Sequence, residues 1–280
     1  MPARSIVTVR QARLGAELRT LRERAGWSIR EASEVTGIAQ TKISMMEAGR
    51  VGVSGERVRH LAAQYACDDP VLVDALVGMA TERGHGWWEE HRETVPAGYM
   101  NVAELEHHAA ELKTFQTVHI PALLQTREQM QGVFASSVPL LSEGQREARV
   151  RFRLRRQQIL GRITYEAVIH EAALRIRAAD AKVARNQLLH ILEQSERPQV
   201  AVRVVPFDVD GFAGISAPLV YANGPVPQLD TVLVDTKHGG TYLAAEAQLN
   251  RYRAMLRTIG KVSLGVLESR DFIQHLVEQM

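Results

Sequence analysis

A short polar cluster between residues 40 and 44 carries donors and acceptors that can read the edges of DNA base pairs. Its members are Gln40, Thr41, Lys42 and Ser44. A glutamine amide can bond adenine at N6 and N7, and a lysine ammonium can bond guanine at O6 and N7. Three nearby residues could bind phosphate oxygens, namely Ser28, Arg30 and Arg50. The chemistry that these residue types favour is recognition of double-stranded DNA.

Two short helices joined by a tight turn are predicted to position this cluster. Gly37 supplies the positive φ that the turn needs, and Ser33 is small enough to let the two backbones approach. The apolar residues that hold the second helix on the first are Ile38, Ile43 and Met46. The second helix, from Ala39 to Ala48, is thereby presented to solvent and fits the major groove of B-DNA. An ordinary helical hairpin is the alternative.

Three further helices are predicted around this pair. Residues 14–25 place leucines at i, i+4 and i+7 on one face, and Gly26 ends that helix. Ser28 is placed to cap the next helix, and a fourth helix begins near Ser54. A fifth runs from about residue 70 to 83, with proline in its first turn. Residues 1–83 therefore read as a five-helix domain.

The residues that carry a known resemblance are LRTLRERAGWSIREASEVTGIAQTKISMMEAGR. They resemble the DNA-binding domain of Xre-type (lambda-repressor-like) regulators. Members of that family often have glutamine at the position of Ile29, where it touches a phosphate, and arginine at the position of Met45. The resemblance implies that Arg30, Thr41 or a backbone N–H replaces the missing glutamine. It also implies that Glu47 ties helices together and does not contact DNA.

Charge is concentrated at the N-terminal end of the chain. Residues 1–66 hold 11 basic and 6 acidic residues, a net charge of +5, whereas the rest of the chain has a net charge of −3. One copy with so few basic groups would bind DNA weakly. We therefore expect a homodimer on a pseudo-palindromic operator.

Length and composition indicate a cytoplasmic protein of two domains. The chain has 280 residues, 45% of them hydrophobic, and no apolar run approaches 18 residues, so no membrane partner is expected. The N-terminus lacks the apolar segment of a secretory signal. Residues 84–103 are predicted to be a linker, partly docked because Trp87, Trp88 and Tyr99 are too large to leave in water.

Residues 104–280 change to an α+β pattern, so the fold class expected is mostly α with a C-terminal α+β domain. Residues 104–116 are predicted to be helical, and residues 143–161 a long basic helix. Strands are predicted through Ile169, over residues 199–206, and in two further segments up to Thr236. Helices at about 243–259 and 268–279 close a small sheet wrapped by helices.

This half is similar to the sensor-like domain that follows Xre-type motifs in actinobacterial WhiJ-like proteins. The segments that carry the similarity are HIPALLQT, RLRRQQIL, YEAVIHEAALR, VAVRVVP and VLVDT. Relatives usually have an aromatic residue near Gln129, which this chain lacks. The resemblance implies a regulator of development or specialised metabolism, often with a small BldB-like protein partner. An antitoxin-like protein that neutralises such a partner is the alternative function.

No catalytic, metal or cofactor site is predicted. His170 and Glu171 lack the second histidine of a zinc-protease helix, and His107 and His108 point about 100° apart on a helix. No P-loop, dinucleotide fingerprint or G-x-S-x-G motif occurs. The protein is therefore expected not to be an enzyme.

The basic helix has several interpretations. Its arginines Arg149, Arg153 and Arg156 share one face at i, i+4 and i+7. They could bind a small-molecule ligand, a small acidic protein or DNA. The favoured alternative is a solvated helix whose arginines pair with acidic residues, namely Glu143, Glu147, Glu166 and Glu171. The sequence as a whole predicts a dimeric DNA-binding repressor whose second domain dimerises and senses a ligand or partner.

Overall fold

The protein is described by a computed structural model that covers residues 7–82, 86–210, 212, 217–236 and 239–280. Its contacts divide it into two units: Met1–Gly86 with Pro225–Gln228, and Trp87–Gly224 with Leu229–Met280. No helix among the described residues is both long and apolar enough to cross a membrane. The expected fold class, a helical N-terminal region followed by an α+β domain, is confirmed.

The described residues of the first unit form five α-helices, as the sequence predicts. They are α1 (Val9–Arg24), α2 (Ile29–Thr36), α3 (Gln40–Glu47), α4 (Gly55–Gln64) and α5 (Pro70–Thr81). Helix α1 begins five residues earlier than predicted because Thr8 and Gln11 form a capping box. The hydroxyls of Ser28 and Ser54 and the carboxylate of Asp69 cap α2, α4 and α5. Each cap satisfies an N–H group that the helix itself leaves unpaired.

The core of the first unit lies where α1 packs against α3, α4 and α5. Leu18, Ile43 and Met46 are each only 1% exposed, and Ala32 and Leu76 are fully buried. Two backbones approach closely at Gly15, where a Cβ atom would lie 2.4 Å from the carbonyl oxygen of Glu47. Ser33 was predicted as the point where α2 and α3 approach, whereas this approach of α1 to α3 at Gly15 was not predicted.

The second unit is built on a six-stranded mixed sheet in the order β3-β2-β1-β4-β5-β6. Its strands are β1 (Glu111–Gln116), β2 (Thr164–His170), β3 (Val200–Val205), β4 (Leu219–Asn223), β5 (Thr231–Thr236) and β6 (Gly239–Leu243). Strands β1, β2 and β3 pair in parallel, while β1–β4, β4–β5 and β5–β6 are antiparallel. In register, Thr114 of β1 faces Ala167 of β2 on one side and Val220 of β4 on the other.

Helices cover both faces of this sheet. They are α6 (Ala97–His108), α7 (Arg127–Ala135), α8 (Glu143–Gln157), α9 (Glu171–Arg175), α10 (Ala181–Gln194), α11 (Glu246–Val262) and α12 (Val266–Glu278). Short 3-10 helices lie at Trp87–His91, Ala122–Leu124, Gln158–Gly161 and Pro227–Leu229. One apolar core contains Leu112, Tyr165 and Leu188, and the core of the opposite face contains Phe115, Tyr221 and Ile259.

The predicted helix over residues 104–116 is wrong in its second half. Helix α6 ends at His108, and the chain continues as β1, the strand between β2 and β4. Alternation along β1 sends Leu112 and Phe115 to different cores, and both are fully buried. Pairing with two strands therefore overrides the helical spacing of Leu105, Ala109 and Leu112. Strand β6 was not predicted either.

Residues 84–103, predicted as a docked linker, form helices over much of their described length. Residues 87–91 form a 3-10 helix, and residues 97–103 form the first turns of α6. Trp88 and Val95 are buried in a cluster with Phe152 of α8. The ring centroids of Trp87 and Phe152 lie 5.0 Å apart. These contacts belong to the second unit.

Candidate nucleic-acid interface

The turn between α2 and α3 is fixed by local backbone chemistry. Gly37 ends α2 with a φ of 66°, in the left-handed region that favours glycine, and its N–H donates to the carbonyl of Ser33 at 3.1 Å. At the other end of α2, the Ser28 hydroxyl accepts the N–H of Glu31, and the Glu31 carboxylate accepts the N–H of Ser28 at 2.7 Å. Hydrogen bonds from Ser28 lower the pKa of the Glu31 carboxyl. Both ends of α2 are thus determined by residues that the sequence analysis singled out.

The four polar residues proposed to read bases share the exposed side of α3. Gln40, Thr41, Lys42 and Ser44 are all exposed. On the opposite side, Ile43 and Met46 are each 1% exposed. Ala39, which precedes α3, makes no side-chain capping bond, so the first N–H groups of the helix remain available to a phosphate. The structure therefore brings the candidate base-reading residues together on one solvent-facing helix.

A buried ion pair holds α3 on α1. The Arg22 guanidinium donates from Nε and Nη2 to the two carboxylate oxygens of Glu47, at 2.6 and 2.9 Å, and from Nη1 to the carbonyl of Trp27 at 2.6 Å. The Arg22 and Glu47 side chains are only 6% and 8% exposed. The hydrogen bond to Glu47 raises the pKa of Arg22. The prediction that Glu47 ties helices together is confirmed, since it joins α3 to α1. Its partner, Arg22, was not predicted.

The candidate phosphate-binding residues differ in what they already contact. The Ser28 hydroxyl is engaged in its cap, although it can still donate. The Arg30 side chain is 78% exposed and donates to Glu34 at 3.1 Å, a surface pair of the kind that contributes little and can be exchanged. Arg50 is exposed just after α3, with its backbone N–H bonded to the carbonyl of Met45. Ile29, at the position where relatives often have glutamine, is half-buried.

Arg149, Arg153 and Arg156 of α8 do not form the solvated face that was favoured from sequence. Arg156 donates to both oxygens of Glu106 at 2.6 and 2.8 Å, with side chains 9% and 5% exposed. Arg153 donates to Gln125 Oε1 at 2.7 Å and lies 4.4 Å from the Phe134 ring centroid. Arg149 lies 5.6 Å from the Tyr99 ring centroid.

The acidic partners expected for α8 are therefore wrong for these three arginines. Glu147 pairs with Arg127, Glu166 with Lys113 and Arg203, and Glu171 with Arg175. The physical reason is that this face of α8 turns toward the interior of the second unit and not toward water. Glu106 and Gln125, which are far away in the chain, were missed because no local spacing connects them to α8.

Comparison with protein families gives two matches. The family model of a domain of unknown function, DUF5753, matches residues 99–275, and a helix-turn-helix domain model matches residues 13–76. The second match covers α2, the turn and α3, together with the helices around them. Searches of curated proteins and of solved structures gave no match.

Proposed function

The chain belongs to the DUF5753 family and carries a helix-turn-helix DNA-binding domain, and from this premise we propose that it is a homodimeric Xre-type repressor. In this proposal, α3 enters the major groove, where Gln40 and Lys42 contact base edges and Thr41 and Ser44 contact bases or phosphates. Ser28, Arg30 and Arg50 hold the DNA backbone. The second unit dimerises the protein, senses a ligand or partner, and performs no catalytic step.

The observation that supports this proposal most strongly is the division of α3 into two faces. The buried residues Ile43 and Met46 and the Arg22–Glu47 ion pair fix the orientation of the helix. Its polar face has no competing contact of that kind, because Gln40, Thr41, Lys42 and Ser44 are exposed. A helix fixed in this way can present polar side chains to base edges in the major groove.

Dimerisation is proposed because one copy of the protein carries too few positive charges to bind the DNA phosphates tightly. Three candidate phosphate ligands and one lysine on α3 would give weak, strongly salt-dependent binding. Two copies related by a twofold axis double these contacts and require a matching symmetry in the operator. The resemblance to WhiJ-like proteins supports a role in development or specialised metabolism, and an antitoxin-like role remains a prediction from that resemblance alone.

Selection of operators from a random DNA library with the full chain tests the base-reading residues. Lys42→Ala should weaken binding to the selected operator by about 1–3 kcal/mol and relax the preference at one position in each half-site. Gln40→Ala should act at a different position. Lys261→Ala, which removes an exposed lysine from α11, is the matched control and should leave both affinity and preference unchanged. Unchanged affinity and preference with Lys42→Ala and Gln40→Ala would overturn the assignment.

A further inference from the structure

The second unit contains a partly open cavity of about 460 Å³ beside the sheet. This volume falls in the range of roughly 300–1,000 Å³ that is usual for small-molecule sites. Leu112, Val220 and Leu233 of three strands line it from the sheet, and Val102 of α6 and Leu123 line it from above. Most of the wall is therefore apolar, as in sites that enclose the body of an organic ligand.

Two polar pairs in the wall are already satisfied. Arg156 and Glu106 neutralise each other through two hydrogen bonds. The hydroxyls of Thr114 and Tyr165 are bonded to each other at 2.8 Å, and Tyr165 is fully buried. Buried polar groups that are paired in this way have little need of a ligand.

Arg153, which also lines the cavity, is not satisfied. Its Nη1 donates to Gln125, an uncharged amide whose own Nε2 donates to the carbonyl of Ile120 at 2.7 Å. Its Nε is buried without a hydrogen-bond partner. No carboxylate within the described part of the chain lies within ion-pair distance of Arg153, whereas Arg156 one turn away has Glu106.

Burial lowers the pKa of Arg153 to about 10, although the charges of Asp235 and Glu106 act in the opposite direction. At neutral pH the guanidinium is still protonated. A half-buried cation that, like Arg153, has no ion-pair partner in the described part of the chain is stabilised when an anion joins it. Asp235 also lines the cavity, but this residue is exposed and can keep its charge in water.

We propose that this cavity binds a small organic acid, with its carboxylate on Arg153 and its apolar body against Leu112, Leu123 and Leu233. A carboxylate fits the side of a guanidinium that carries Nε–H and one Nη–H, and a small rotation of Arg153 would present that side. One positive charge, with the Asp235 carboxylate on the same wall, matches a monoanion better than a phosphate dianion. The inference rests on the proposed function in one respect: the acid would be the signal that the second unit senses.

Isothermal titration of the full chain with matched acids and amides tests the site. The probes are decanoate and 2-naphthoate, each compared with its neutral primary amide, at neutral pH. We expect at least one carboxylate to bind at least 10-fold more tightly than its amide. Arg153→Gln should remove that preference. Arg151→Gln, which changes an exposed arginine on the same helix, should keep it.

Equal binding of acid and amide, no binding of either acid, or an unchanged preference in Arg153→Gln would overturn the proposal. If Arg153→Gln does not fold, as judged by circular dichroism, Val102→Phe keeps the arginine and fills part of the cavity. That variant should lose at least 10-fold in affinity for the acid, and undiminished binding would overturn the proposal.

These titrations contain no DNA, so their outcome is independent of operator binding. A chain that selects an operator but binds no carboxylate contradicts the cavity proposal alone. A chain that binds the carboxylate through Arg153 but selects no operator contradicts the proposed DNA reading alone. Both parts together predict that the bound acid changes operator affinity in the wild type and not in Arg153→Gln.

Discussion

Replacement of Glu47 by glutamine should loosen α3 without removing any residue that is proposed to contact DNA. Arg22 and Glu47 are joined by two charge-assisted hydrogen bonds, with side chains only 6% and 8% exposed. Glutamine keeps the shape and one acceptor oxygen but leaves Arg22 with the exposed carboxylate of Glu23, at 3.6 Å, in place of the buried charge of Glu47. Removing one partner of a buried ion pair costs about 3–5 kcal/mol. We expect the lower end, about 3 kcal/mol, because the bond from Arg22 to Trp27 remains.

Hydrogen exchange of the full chain, followed by mass spectrometry, measures this loss locally. About 3 kcal/mol corresponds to a roughly 100-fold larger opening equilibrium for the amides of α1 and α3. The matched control is Glu34→Gln, which removes an exposed partner of Arg30 with side chains 63% and 78% exposed. Such surface pairs contribute about 0–1 kcal/mol, so exchange in the control should change less than tenfold.

A double variant distinguishes the effect of an unpaired charge on the stability of α3 from the effect of lost packing. Arg22→Met combined with Glu47→Leu removes both charges and keeps apolar volume, so protection of α3 should recover toward the wild-type value. If Glu47→Gln changes exchange no more than Glu34→Gln does, the argument that a buried ion pair fixes α3 is refuted.

Three further changes test the packing and electrostatics of the first unit. Gly15→Ala should destabilise it by about 1–3 kcal/mol in urea unfolding followed by hydrogen exchange of the α1 and α3 amides, because the new Cβ would lie 2.4 Å from the Glu47 carbonyl oxygen. Gly37→Ala should cost about 1–2 kcal/mol in the same assay, because the φ of 66° is unfavourable for alanine. Burial raises the pKa of Glu17 above 4.5 despite Arg13 at 3.0 Å, so its contribution to stability is present at low pH and lost as pH rises through the native pKa. Glu17→Gln should therefore make the melting temperature fall less between about pH 4 and pH 7, and an unchanged slope would contradict this.

The first unit could be predicted from sequence because its determinants are local. Helix termini in this unit are marked by residues that act through a hydrogen bond or a backbone torsion within a few positions. These are Ser28, Ser54 and Pro70 at helix starts and Gly37 at a helix end. The capping box of Thr8 with Gln11 is equally local and was overlooked. What the sequence could not give is the approach of Gly15 to Glu47 and the choice of Arg22 as its partner, because both depend on how α1 and α3 pack.

The second unit was predicted less completely because its determinants are distant in the chain. Residues 111–116 have a spacing compatible with a helix, and only pairing with β2 and β4 makes them a strand. Arg156 and Glu106 are 50 positions apart, and Arg153 and Gln125 are 28 apart. The sequence correctly groups Arg149, Arg153 and Arg156 on one face of α8. The residues that this face contacts could be known only from the fold.

The measurement that tests the central claim most directly is a missing-base interference footprint of the full chain on its selected operator. If paired α3 helices read a symmetric site, the bases needed for binding should form two patches. The centres of these patches should lie one helical turn apart, about 34–36 Å, or a multiple of that distance. Lys42→Ala should remove one base contact from each patch and leave the phosphate contacts in place. A single patch, or a footprint that Lys42→Ala does not change, would contradict the account.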